Sequence, residues 1–197
     1  MTCSQCGHEF CWICLSPNWQ DHVCNVYDSL NGVDELQRFQ FFRRRVEAHL
    51  NSAIVTEALL KDFENQGRDL KSRCHLCQDG HLFILKEAWK MLVISRKYLA
   101  NSYIAAYGFT ETFDKKVRKS FEEHQSQLQL FVEQLNFLSD SLRNLYWNEK
   151  EQEVLIQFRG LHFCTVAVAA YIQRIDSFAD NNFEQRDNVD AKFHHNY

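Results

Sequence analysis

From residue 34 onward, apolar and polar positions alternate at helical spacing over long runs with almost no breakers, and the chain's only proline is Pro17. A first helix is predicted over residues 34–67, where Leu36, Phe39, Val46, Leu50, Ile54 and Phe63 recur near helical repeats and form its expected apolar stripe. At about 1.5 Å per residue, this helix would be roughly 50 Å long. A loop over 67–80 follows, then a strongly apolar helix over 82–107 that Gly108 stops. Apolar side chains surround most of its circumference, so it is expected at the centre. A third helix, over 113–146, turns Phe121, Leu128, Phe131, Leu135, Leu138 and Leu142 inward. Asn148 followed by Glu151 has the form of an Asx capping box and opens a fourth helix that runs to residues 175–178. Residues 179–197 carry little apolar pattern and are expected to be a disordered tail. The pattern describes a mainly α fold, an elongated antiparallel helical bundle over residues 34–178.

Residues 1–27 differ in kind, and residues 28–33 read as a linker. Five of the eight cysteines fall in the first 24 positions: Cys3, Cys6, Cys11, Cys14 and Cys24. No signal-peptide pattern precedes them, which places these thiols in a reducing compartment where metal thiolates are favoured over disulfides. A cytoplasmic location follows, with the nucleus as an alternative. The hydrophobic content of 45% supports one good core. A net charge of -4 and a pI near 6.1 indicate no strongly basic face, so nucleic acid is not an expected partner. Arg43, Arg44 and Arg45 are read as a solvated helix face in preference to a phosphate-binding patch. The most apolar stretch, residues 161–172, falls far below the roughly 20 residues that cross a bilayer and is expected to be a buried helix segment, with no membrane partner.

Cys11 and Cys14 have the Cys-x-x-Cys spacing that lets two thiolates reach one ion from a tight turn. His22 and Cys24 follow after a seven-residue loop and, one residue apart in an extended stretch, can point at the same ion. Cys11, Cys14, His22 and Cys24 are therefore a complete tetrahedral zinc set. Cys3 and Cys6 form a second pair. His8 could add a third ligand there, but nothing nearby supplies a fourth. Trp12 and Trp19 give the loop something to pack around. Cys74 and Cys77, with His81 behind them, also have ligand spacing, but thiols packed in a helix-to-helix turn are the favoured reading. Cys164 is read as a packing residue.

Residues 1–25, MTCSQCGHEFCWICLSPNWQDHVCN, combine a C-x4-C-W-x-C-L run with W-x-x-H-x-C. This resembles the back half of the second RING of the RING-between-RING ubiquitin ligases, most closely their Ariadne branch. The resemblance implies that Cys3 and Cys6 finish a first zinc site and that Cys11, Cys14, His22 and Cys24 make the second. It also implies that the cysteine carrying ubiquitin as a thioester lies ahead of Cys3 in a Cys-x-His-Met run, whose methionine would be Met1. On that reading the chain is a ligase fragment without its nucleophile, its first RING or its in-between-RING domain. Glu9 stands where some family members carry an acidic residue for proton transfer, and a solvent-facing role in the zinc loop is an equal alternative. The helical region is similar to the Ariadne domain, which in the family folds back over the second RING until cullin ligases carrying their ubiquitin-like modifier release it. An aromatic–acidic pair makes that inhibitory contact, whereas Val55-Thr56-Glu57 here lacks the aromatic. The implied partners are ubiquitin, a ubiquitin-conjugating enzyme and modified cullin ligases. A non-catalytic zinc and helix-bundle adaptor that binds cullin assemblies or ubiquitin is the alternative.

Overall fold

The computed structural model describes residues 34–73, 79–109, 113–146 and 151–193. They form four α-helices and no strand: α1 (Glu35–Arg73), α2 (Asp79–Tyr107), α3 (Lys115–Tyr146) and α4 (Glu151–Phe193). Two of the starts are set by aspartate caps. Asp34 Oδ1 accepts from the amides of Leu36 (3.0 Å) and Gln37 (3.4 Å), and Asp114 Oδ1 accepts from those of Lys116 (2.7 Å) and Val117 (3.2 Å). Each cap satisfies donors that the first turn leaves open. Gly108 follows the last residue of α2, and a Cβ there would lie 3.2 Å from the Ala105 carbonyl oxygen.

Two helix ends differ from the sequence expectation. The first helix does not stop at Gly67 but continues to Arg73, because one glycine costs a helix only about 1 kcal/mol and no proline follows it. The fourth runs past 178 to Phe193, where a disordered tail was expected. Phe183 explains the extension, since its ring lies 5.6 Å from Phe109, 5.6 Å from Phe113 and 5.7 Å from Phe121. These aromatic contacts hold the later turns of α4 to the α2–α3 end of the bundle.

Packing follows an up-down-up-down order around α2, which meets each of the other three helices. Phe63 packs on Trp89 and Phe42 on Tyr107, so α1 and α2 are antiparallel. Tyr103 reaches Gln129 and Arg96 reaches Glu133, so α2 and α3 are antiparallel as well. His81 stacks on Phe158 and Tyr98 bonds Asp176, pairs that advance together and make α2 and α4 parallel. The fully buried Leu92, Leu99, Leu128, Leu135, Leu142, Leu161 and Ile175 fill the space between them.

The third helix matches its predicted face: Phe121, Leu128, Leu135 and Leu142 are buried, with Phe131 and Leu138 packed against the core. Trp89 is buried, as its place on the apolar second helix suggests. The first helix matches only in part, with Val46 and Phe63 of the expected stripe packed against the core. Its buried face is Phe42, Arg45, His49, Ala53 and Thr56, whereas Leu36, Leu50 and Ile54 from the expected stripe face outward. Polar residues at core register hid the true face, and Arg45 leaves the solvated trio to be only 4% exposed while Arg43 and Arg44 stay outside. Residues 161–172 are likewise only half covered. Leu161 and Val168 are buried, but Phe163 and Val166 point away from the core. Among the described residues, no helix is long and apolar enough to cross a membrane.

One cation joins α1 to the end of α2. Arg38 Nη2 donates to the carbonyl oxygens of Tyr107 and Phe109, and its guanidinium lies 4.6 Å from the centre of the Tyr107 ring. It thereby satisfies acceptors that the last turn of a helix leaves open and places positive charge at the negative end of the α2 dipole. Tyr107 in turn donates its hydroxyl to Glu35 Oε1 at 2.8 Å. The Phe183→Ala substitution is expected to lower stability by about 1–3 kcal/mol, a large-to-small loss at a partly buried site. Phe163→Ala, on the exposed side of the same helix, should stay within about 0.5 kcal/mol. Urea unfolding of the two variants beside the parent measures the difference.

Candidate functional site

The expected zinc donors Cys11, Cys14, His22 and Cys24, the pair Cys3 and Cys6, and Glu9 lie outside the described residues, as do Cys74 and Cys77. Among the described residues, no group of three or more His, Cys, Asp or Glu is placed to hold a metal. His81 is partly buried and stacks on Phe158 of α4, with ring centroids 4.6 Å apart and an interplanar angle of 13°. Cys164 is half-buried and donates its thiol to the Phe131 carbonyl oxygen at 3.6 Å. Burial pushes that thiol pKa up, which suits a packing residue and opposes a nucleophilic role. In the Val55-Thr56-Glu57 stretch, Thr56 is buried and donates to the Ser52 carbonyl, while Glu57 pairs with Lys97 of α2 at 2.5 Å. The Lys97 hydrogen bond holds the Glu57 carboxyl below its ordinary pKa.

The polar groups that the structure does bring together lie along α2, on the sides that it turns to α1 and to α3. Arg96, 2% exposed, binds Glu133 with both guanidinium ends, at 2.7 Å to Oε1 and 3.2 Å to Oε2. Such a bidentate pair is strong and directional, and it offsets the cost of taking the cation out of water. Tyr103 donates its hydroxyl to Gln129 Oε1 at 2.9 Å, and Gln125 donates to Ser102 Oγ at 2.8 Å. From α1, Arg45 donates to the Phe41 carbonyl oxygen and lies over the Phe41 ring. The fully buried His49 ring stacks on Tyr103, with 5.6 Å between centroids and 15° between planes. Sequence reading missed this seam because it looked for apolar residues at core positions. The available signal was phase: Arg45 and His49 fall in step with Phe42 and Ala53.

Burial first, then the nearby charges of Arg96 and Arg45, draws the His49 pKa down from 6.5 to about 3. The groups facing it are Arg45 from its own helix, Arg96 and Tyr103 from α2, and through those the Glu133 and Gln129 side chains of α3. Above pH 6.5 the imidazole is neutral whether the chain is folded or not. Below it the unfolded chain takes up a proton that the folded bundle refuses, so stability falls with pH until the folded pKa is reached. Between pH 7 and pH 5 this contribution is about 2 kcal/mol. The His49→Gln variant lacks it, so the stability gap between parent and variant should narrow by that amount over the same interval in urea titrations.

No family model matches the chain. Among curated proteins it is similar to E3 ubiquitin-protein ligase dbl4 of Schizosaccharomyces pombe, 28% identical over 155 residues, covering 71% of this chain and 30% of that protein. It is similar to E3 ubiquitin-protein ligase ARIH2 of Mus musculus, 28% identical over 154 residues, covering 70% of this chain and 30% of the relative. E3 ubiquitin-protein ligase HEL1 of Saccharomyces cerevisiae is 31% identical over 160 residues, covering 70% of this chain and 27% of its own length. The chain thus spans less than a third of the length of each of these relatives. Those matches make it a relative of the Ariadne-type RING-between-RING ubiquitin ligases.

Proposed function

We propose that these residues serve a ubiquitin ligase that works through a cysteine thioester, supplying the closing half of its second RING and the helical domain behind it. The observation that carries this reading is the extent of the matches. Proteins named as E3 ubiquitin ligases align over about 70% of this chain, far more than the cysteine-rich start could supply, so the helical region is shared too. The donor chemistry fits zinc, since three thiolates and one imidazole at Cys11, Cys14, His22 and Cys24 are a usual structural set. Bound there, the metal would fix the loop; it would not react. Cys3 and Cys6 are the matching half of a neighbouring site.

Transfer requires a thiolate to attack the carbonyl that joins ubiquitin to a conjugating enzyme, forming a new thioester and releasing the enzyme's thiol. A lysine amine of the substrate then attacks the new thioester carbonyl, forming an amide bond to ubiquitin and releasing the ligase cysteine as its thiol. In this reading the attacking cysteine lies ahead of Cys3, on sequence these 197 residues do not include. Glu9 is the proposed proton carrier for that cysteine, with a solvent-facing role in the zinc loop as the alternative. Ubiquitin, a conjugating enzyme and modified cullin ligases are the proposed partners.

Metal analysis of the purified chain should return about one zinc per molecule, removed by Cys11→Ser while the helical circular dichroism signal remains. Two zincs would mean that the pair at Cys3 and Cys6, or the one at Cys74 and Cys77, closes a second site. Incubated with a charged conjugating enzyme, the 197-residue chain should show no thiol-sensitive ubiquitin adduct on a non-reducing gel. A longer chain that includes the Cys-x-His run should show one. An adduct on the shorter chain would contradict the proposal, and none on the longer chain would favour the non-catalytic adaptor.

A further inference from the structure

The outward face of α4 carries an apolar stripe, interrupted at Arg159, that no described residue covers. Ile156 is 70% exposed, Phe163 71% and Val166 53%, and Ala170 continues the line at helical spacing. The opposite side of the helix supplies Phe158, Leu161, Val168 and Ile175 to the core, so the stripe is a second apolar face rather than a loose part of the first. Arg159 and Arg174 are exposed on this same outward face, and neither forms an ion pair among the described residues. No acidic residue shares the face between them. The outward apolar residues of α1 make a useful contrast, because Arg43 and Glu47 pair across that surface at 2.7 Å and interrupt it.

We infer that this face of α4 docks an acidic amphipathic helix of a partner protein. Phe163, Val166 and Ala170 stand at i, i+3 and i+7, with Ile156 two turns earlier, a spacing suited to helix-on-helix recognition. Two unpaired arginines about 22 Å apart, at 1.5 Å per residue, bracket a contact of about four turns. Their charge selects glutamates or aspartates at both ends of the partner. A helix fits this face because its exposed apolar positions run lengthwise along α4 together with the two arginines. This inference is independent of the ligase reading, since it uses none of the metal donors and no thioester chemistry.

The test uses the full chain and two fluorescent synthetic helices, each with leucines on one face and either glutamates or lysines on its flanks. The glutamate helix should bind at least about tenfold more tightly than the lysine helix, with added salt closing the gap. Phe163→Asp should cost about tenfold or more, while circular dichroism and urea unfolding show the bundle intact. The double variant Arg159→Glu, Arg174→Glu should prefer the lysine helix. Equal binding of both helices, no binding of either, or binding that Phe163→Asp leaves unchanged would overturn the inference. So would preferential capture by vesicles of anionic lipid, which assigns the face to a membrane. Self-association of the chain that Phe163→Asp abolishes would assign it to a second copy and overturn it as well.

Discussion

A guanidinium buried at Arg96 constrains how three helices can meet. Removed from water, it requires a carboxylate at a fixed place, and Glu133 on α3 meets it with both oxygens. Sliding α3 along α2 by one turn would strand that charge in a low-dielectric interior, at a cost of about 3–5 kcal/mol. The leucines of the core are far more tolerant, since one apolar contact replaces another at small loss. The pair therefore disfavours shifted registers, and Tyr103 with Gln129 repeats the same alignment about two turns along. His49 and Arg45 extend the polar seam to α1, where stacking on Tyr103 and Phe41 takes the place of aliphatic packing.

How much of this was legible depended on which force set each element. On α3, apolar residues recur at the core spacing through Phe121, Leu128, Leu135 and Leu142, so the buried face can be read directly. Helix starts at Asp34 and Asp114 are local chemistry and equally plain. For α1 the same reading found Val46 and Phe63 but missed most of the packed face, because that face contains Arg45, His49 and Thr56, and a stripe search discards such residues. His49 is buried against Tyr103, 54 positions away, which no local window contains. The length of α4 has a similar cause, since the value of Phe183 lies in the rings of Phe109, Phe113 and Phe121. The metal set is the reverse case. Its evidence is spacing and ligand type alone, and it lies outside the described residues.

The two parts of the proposed function accordingly rest on different physics. In the proposal, the cysteine-rich start relies on metal coordination, as small zinc modules do. The bundle packs three helices against α2 and bonds interior polar groups to one another, Arg96 to Glu133 and Tyr103 to Gln129. Kinship with the ligases unites the parts in sequence, while their stabilities draw on separate sources.

Among the described residues, α1 meets α2 and no other helix. Anything that pulls on the chain ahead of residue 34 is therefore resisted along one seam, held by Arg38 at its near end, the His49–Tyr103 stack midway and Phe63 on Trp89 farther along. The remaining three helices share contacts around α2 and would carry little of that load. Mechanically, α1 is a strap with a single row of fasteners, and a tug from upstream would loosen it as a whole while leaving the other three standing.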